Sequence, residues 1–145
     1  MEQEQLLVAV LDGQGGGVGR ALVTELKRQL PGQRIACVGT NVMATSAMLR
    51  AGADAGATGE NAVAVTVRDA DIVLGPIGIV LADAMMGELT AEMARAIGAS
   101  PAVKLLVPLG KCHVMVAGAS DVPLSAAIED AVKLAKHHIE EKETT

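Results

Sequence analysis

The chain contains no phenylalanine, tyrosine or tryptophan, and that absence sets the first limits on its chemistry. No aromatic ring can stack a nucleobase, a flavin or a sugar, and no phenol can serve as acid, base or nucleophile. With 50% of its 145 residues apolar, the core must be built from Val, Ile, Leu, Ala and Met. A chain of this length is expected to form one domain, residues 1–145, able to bury a core without staples.

Basic clusters are missing as well. Twelve Lys and Arg are scattered among 17 Asp and Glu, for a net charge of −5, which argues against a nucleic-acid partner. Cysteine is scarce: Cys37 and Cys112 form no C-x-x-C pattern, so neither zinc nor a disulfide framework is indicated, and no metal site is expected. Long hydrophobic runs are also lacking. The acidic start Met1-Glu-Gln-Glu-Gln5 and the short apolar run after it suit neither a signal peptide nor a membrane span. The expectation is a soluble cytoplasmic protein with reduced thiols and no membrane partner.

Glycine, by contrast, is concentrated. An apolar run ending in Asp12 is followed by Gly13, Gly15, Gly16, Gly17 and Gly19, and an amphipathic pattern then begins at Val18. Strand, glycine turn and helix in that order make a cradle for phosphate, because turn amides and a helix N-terminus present positive partial charge to one place.

Leu6–Leu11 reads as a strand buried on both faces. Val18, Leu22, Leu26 and Leu30 mark a helix stopped by Pro31-Gly32. Arg34–Gly39 is a second strand, with Cys37 an inert core residue. Thr40-Asn41 caps a helix over Val42–Arg50. Gly56–Thr58 fits a short third strand. Glu60–Arg68 is expected to be helical, although Val63, Val65 and Val67 alternate like a strand. Asp71–Gly75 is a strand, and Ile79–Met86 is either a buried helix or another strand. Thr90 is an N-cap for Ala91–Ile97, Lys104–Leu109 a fifth strand, and Cys112–Ala117 a candidate sixth. A final helix runs from about Pro123 to Lys142 with Ile128, Val132, Ala135 and Ile139 inward.

Alternating strands and helices at this spacing predict a three-layer αβα, doubly wound, mainly parallel sheet of the Rossmann-like type, with five or six strands. Ligands of such sheets sit beyond the carboxyl ends of the strands. The polar and glycine-rich segments fall at those ends: 12–19, 39–41, 58–61, 75–78 and 110–113.

The turn fails the strict dinucleotide pattern G-x-G-x-x-G, since Val18 or Arg20 stands at the third glycine position. It also fails the Walker pattern. Gly16-Gly-Val-Gly-Arg20 resembles the deviant P-loop of the ParA/MinD ATPases, but Arg20 replaces the lysine and Ala21 the magnesium-binding hydroxyl, so that hydrolytic route is not expected. Gly13-x-x-x-Gly17-x-Gly19 resembles the glycine motif of short-chain dehydrogenases. That resemblance carries over those three glycines as cofactor-binding candidates. It cannot carry over the catalytic tyrosine, which the chain lacks. The end of the second strand offers Gly39-Thr40-Asn41 instead of the acid that would hold the ribose of NAD, so a cofactor, if there is one, is expected to be NADP, a mononucleotide or something smaller.

Over nearly its full length the chain resembles a bacterial family known only as domain of unknown function 3842. The blocks that carry the likeness are Asp12-Gly-Gln-Gly-Gly-Gly17, Gly39-Thr-Asn41, Ala44-Thr-Ser-Ala-Met48, Gly56-Ala-Thr-Gly-Glu-Asn61 and Gly75-Pro-Ile-Gly78. The resemblance implies a Rossmann-like fold and no assigned activity.

The candidate cofactor-binding residues are Asp12, Gly13, Gln14, Gly15, Gly16, Gly17, Val18, Gly19, Thr40, Asn41, Gly75 and Pro76. Asp12 either caps the turn amides or holds a Mg²⁺ that bridges to phosphate. Thr40, Asn41, Thr45 and Ser46 either line the pocket or cap and pack. Glu60 is a candidate general base, or the acidic first turn of a capped helix. Lys111-Cys112-His113 has the makings of an activated thiol but no third group to orient it. His137 and His138 read as a solvated face near Glu140 and Glu141, and the seven methionines as core filler. The expected ligand is a small phosphorylated or nucleotide molecule. The alternative is a non-catalytic oligomeric or regulatory interaction module with a vestigial pocket, in which Ile79–Met86 is the candidate surface for a homo-oligomer. No reaction is implied in either case; a third reading is an enzyme that uses Glu60 or Cys112 on a phosphorylated substrate.

Overall fold

The apolar run before the glycine turn forms β1 (Val8–Asp12), in which every residue is buried. In the computed structural model, which describes residues 5–108, 113–119 and 121–144, the turn leads into α1 (Gly17–Gln29) with Leu22, Val23 and Leu26 inward. There follow β2 (Ile35–Gly39), α2 (Val42–Ala51), β3 (Ala55–Thr58), α3 (Glu60–Asp69) and β4 (Ile72–Pro76). A short 3-10 helix (Ile77–Val80), α4 (Ala91–Ala99), β5 (Val103–Val107) and α5 (Leu124–Glu143) complete the order.

All pairings in the sheet are parallel and its strand order is β3-β2-β1-β4-β5. The chain therefore steps outward from β1 to one edge, then returns to lay β4 on the other side of β1. That reversal is the switch point of a doubly wound Rossmann-like fold, where a crevice opens because successive connections leave in opposite directions. The register aligns Asp12 with Gly39 and Gly39 with Thr58, so the three strand ends finish level at one edge of the sheet.

Each central strand is buried on both faces. Val8 and Val10 face one apolar layer with Leu22, Leu26, Met48 and Val132. Ala9 and Leu11 face the other with Val63, Val67, Met93 and Ile97. On the first face α1 packs between α2 and α5, and on the second α3 packs with α4. Without aromatic rings the layers close on small residues, and the helices approach one another closely.

Several expectations about elements are met and others corrected. The alternating valines belong to α3: Val63 and Val67 are buried and Val65 lies 46% exposed, so spacing by four overrides spacing by two. A parallel β3-to-β4 crossover needs a covering helix, and tertiary context decides. Ile79–Met86 is neither a helix throughout nor a strand, since the 3-10 helix gives way to turns over 81–88. No sixth strand forms over 113–117. Lys111 and Cys112 lie outside the described residues, as does Leu109, the expected end of β5. The inner stripe of α5 is as expected, with Ile128, Val132, Ala135 and Ile139 all buried. Among the described residues no helix is long and apolar enough to cross a membrane.

One buried hydroxyl ties the second face together. Ser100 Oγ donates to the Val67 carbonyl at 2.6 Å and accepts from the Ala102 amide at 3.0 Å. Ser100→Ala leaves both partners in a site closed to water, and is expected to lower unfolding free energy by about 1–2 kcal/mol in urea denaturation.

Candidate functional site

The glycine turn folds around the side chain of Asp12. Its Oδ1 accepts from the Gly13 amide at 2.8 Å and its Oδ2 from the Gly19 amide at 2.7 Å, and the nearby Val18 amide also favours the charged form. The carboxylate thus satisfies orphan amides at the start of α1, which is the capping alternative of the two open for Asp12. Burial raises its pKa, and the neighbouring charge of Glu88 adds to the rise, against the lowering effect of the three amides. Among the described residues no group of three or more His, Cys, Asp and Glu side chains is placed to hold a metal ion.

The other glycines divide by role. Gly16 sits in the left-handed region at φ 74 and donates to the Gly13 carbonyl at 2.9 Å, which closes the turn. A Cβ at Gly19 would stand 2.5 Å from Met48 Sδ, so this glycine lets α1 and α2 touch. Gly15 and Gly17 are exposed, and a Cβ at either would meet nothing within 4 Å. Among the described residues their amides have no hydrogen-bond partner. They line a groove of about 500 Å³ between α1 and α2 whose cationic lining is Arg20 and Arg50. Both arginines are exposed and neither has an ion pair among the described residues. In the sequence Arg20 stands out only as a departure from the P-loop lysine and Arg50 only as a helix end, because their proximity depends on how the two helices lie together.

On its other side the turn meets Glu88, which the sequence reading missed. Glu88 Oε1 accepts from the Gln14 amide at 2.8 Å, Thr40 Oγ1 at 2.7 Å and Asn41 Nδ2 at 2.8 Å. These donors, the Gln14 amide first, hold its carboxyl below the ordinary range. Asn41 also donates to the Gln14 carbonyl and caps α2 by accepting from the Ala44 amide at 2.9 Å. Thr40, Asn41 and Gln14 thus gather around one carboxylate at the end of β2.

The segment that delivers Glu88 is conformationally costly. Asp83, Met85 and Met86 are left-handed at φ 67, 59 and 56, followed by Gly87 at φ 89. Each such non-glycine residue costs on the order of 1 kcal/mol and persists only where the surroundings over-determine it. Here the buried Leu89 and its paired backbone bonds with Asp83 and Ala84 hold the segment. Met85 lies against Gly13, where a Cβ would stand 2.6 Å from Met85 Sδ. Ile79 is fully buried, Met86 is 95% exposed, and the residues between them are half-buried or exposed.

The remaining candidates have structural surroundings. Thr45 Oγ1 is buried, accepts from the Gly39 amide at 3.1 Å and lies 2.7 Å from Thr58 Oγ1, which ties β2, β3 and α2 together. Ser46 is half-buried on α2. Gly75 is buried against the Leu11 carbonyl, and Pro76 is buried at the end of β4. Glu60 is exposed and its Oε2 accepts from Thr90 Oγ1 at 2.6 Å. Thr90 in turn caps α4 by accepting from the Met93 amide. Cys37 is buried and burial pushes its thiol pKa up, which suits an inert core residue. His113 is exposed, and His137 Nε2 lies 3.1 Å from Glu141 Oε1 on the outer face of α5.

Comparison with solved structures gives low identities. The chain is similar to a putative oxidoreductase from Pseudomonas putida KT2440, with 18% identity and TM-score 0.43, covering 92% of this chain and 39% of that one. It is similar to AibC, with 18% identity and TM-score 0.48, covering 91% and 42% respectively. A third is a dodecameric FMN-dependent Ubix-like decarboxylase from Escherichia coli O157:H7, with 17% identity, TM-score 0.43 and coverage of 92% and 76%. The chain thus spans about two-fifths of the length of the first two. No curated protein matches it. Residues 7–140 match a family described as a domain of unknown function (DUF3842), and since that stretch takes in nearly the whole chain, the chain belongs to this family.

Proposed function

We propose that this protein binds a small nucleotide or phosphorylated metabolite, with the glycine turn 12–20 on the phosphate. The observation that carries the reading is the pair of free amides at Gly15 and Gly17 beside Arg20 and Arg50. Amides at the start of a helix and guanidinium groups are both strong phosphate donors, and bidentate contact from arginine adds geometry to charge. Asp12 does not oppose this placement, because its carboxylate is turned inward onto the Gly13 and Gly19 amides. Thr40, Asn41 and Gln14 supply the neighbouring polar wall. NAD(P) and other nucleotides are the candidate ligands, and the reading assigns no reaction.

A thermal-shift panel of NAD, NADP, ATP, AMP, coenzyme A and S-adenosylmethionine tests this. A ligand at a hundred times its Kd adds about 2.7 kcal/mol, or roughly 5–10 °C for a chain of this size. Gly17→Val leaves the fold, since a Cβ there enters open space, and is expected to abolish the shift by crowding the groove. If no compound moves Tm, the nucleotide reading fails. A shift preserved in Gly17→Val moves the phosphate away from the turn.

A second reading, an oligomeric or regulatory module, is favoured by a separate apolar groove of about 690 Å³ between β5 and α5. Val116, Val122 and Leu134 line it and remain 41%, 47% and 49% exposed. Sedimentation velocity that gives a monomer at high micromolar concentration sets the homo-oligomeric form of this reading aside.

A further inference from the structure

The end of β2 carries no acidic side chain, yet the folded protein places a carboxylate there. Glu88 reaches Thr40 across 48 positions and Gln14 across 74, and its three hydrogen bonds come from the turn and from the residues after β2. All three fall on Oε1. Among the described residues no side chain or amide donates to Oε2, so the protein fixes the carboxylate through one oxygen.

The partner of that second oxygen is constrained by charge. A carboxylate only accepts hydrogen bonds, and Asp12 lies close enough for its own ionisation to be opposed by Glu88. A third anion beside these two is repelled. The end of the turn near Gln14 therefore suits hydroxyl donors, whereas the side of Gly15 and Gly17, with Arg20 and Arg50, suits the anion. A molecule that spans both carries a phosphate next to a diol, and a nucleotide's phosphoribose is such a group. In dinucleotide-binding sheets an acid at the end of the second strand accepts from ribose hydroxyls. Here the corresponding carboxylate comes from the segment after β4.

We propose that Glu88 is the specificity-determining residue of the site, accepting through Oε2 from the ribose hydroxyls of a ribonucleotide and excluding ligands phosphorylated or lacking a hydroxyl at that position. This inference rests on the nucleotide reading above. The loop with its left-handed Asp83, Met85 and Met86 is the device that holds the carboxylate over Gly13, where the lack of a Cβ leaves room for it.

Glu88→Gln isolates the idea. The amide keeps a carbonyl oxygen for Gln14, Thr40 and Asn41 but turns the second acceptor into a donor, and its unchanged shape preserves the loop. Calorimetric titrations with AMP against 2′-deoxy-AMP, and NAD against NADP, are compared in wild type and Glu88→Gln, with apo thermal melts as the folding control. In the wild type the compound with the free hydroxyl binds at least tenfold more tightly. In Glu88→Gln that preference falls to about twofold or less. Binding of these compounds with equal discrimination in both proteins overturns the inference and leaves the nucleotide reading standing. Tighter binding of AMP by Glu88→Gln also overturns it, because Glu88 would then be an internal competitor for the ligand's anion. If none of the four binds the wild type, the nucleotide reading fails first and this one with it.

Discussion

Asp12→Ala is expected to destabilise the protein by about 3 kcal/mol, since burying an amide without an acceptor costs roughly 1–3 kcal/mol each. Asp12 is only 5% exposed, and the amides of Gly13 and Gly19 both donate to it. Truncation takes the acceptor away from both. The gain from removing a buried charge offsets part of the loss, which is why the figure is below the upper end for two unsatisfied donors. Urea denaturation gives the result directly. A loss under about 1 kcal/mol would mean that water enters the turn and replaces the carboxylate.

The same residue makes a pH signature. Burial raises the pKa of Asp12 in the folded state, so between the unfolded and folded values the native state holds more protons than the unfolded one. Its contribution to stability is therefore fully present below the unfolded value of about 4 and is lost as pH rises through the folded pKa. Glu88 acts in the opposite sense: its lowered pKa contributes stability above the unfolded value that is lost as pH falls through the folded one. In Asp12→Asn the first contribution disappears, so the difference in stability between wild type and variant should widen as pH falls through the folded pKa toward 4. A pH-independent difference would show that Asp12 is not perturbed.

Gly39→Ala is the second large effect, with an expected loss of about 3 kcal/mol, at the upper end of what overpacking costs. A Cβ at Gly39 would fall on Thr45 Oγ1, 2.6 Å from the Thr45 amide nitrogen and 2.7 Å from the Asn41 carbonyl oxygen. Two of these are backbone atoms at the start of α2, so relief requires moving the helix off the sheet. Thr45 would also lose its bond to the Gly39 amide. Thermal denaturation is the check, with Gly17→Ala as the control, since its added Cβ meets nothing within 4 Å. Equal Tm values for the two variants would mean that α2 shifts without cost.

Much of this molecule is local in origin and was legible. The run before Asp12, the spacing by four of Leu22 and Leu26, the caps at Asn41 and Thr90 and the inner stripe of α5 depend on neighbours a few positions away. The candidate site was half legible. Gln14, Thr40 and Asn41 were singled out because they sit in the turn and just after β2, but they were read without Glu88, which all three bind. Glu88 lies in a segment with no periodicity, and Leu81–Leu89 gives no pattern from which turns with left-handed methionines follow. The pairing of Arg20 with Arg50 was missed for a related reason, since Arg20 was read only against the P-loop lysine and Arg50 does not look unusual until α1 and α2 are side by side.

What the sequence by itself determined is the alternation of strands and helices, hence the parallel sheet, and the strand–turn–helix that starts it. Backbone hydrogen bonds and periodic burial act over short separations and leave periodic traces. Only the tertiary structure decided what the turn faces: Asp12 turned inward onto its own amides, Gly15 and Gly17 left open beside two arginines, and Glu88 brought from far along the chain. Those placements depend on which surfaces meet when the layers close, and a contact across 74 positions leaves no mark in either of the stretches that make it.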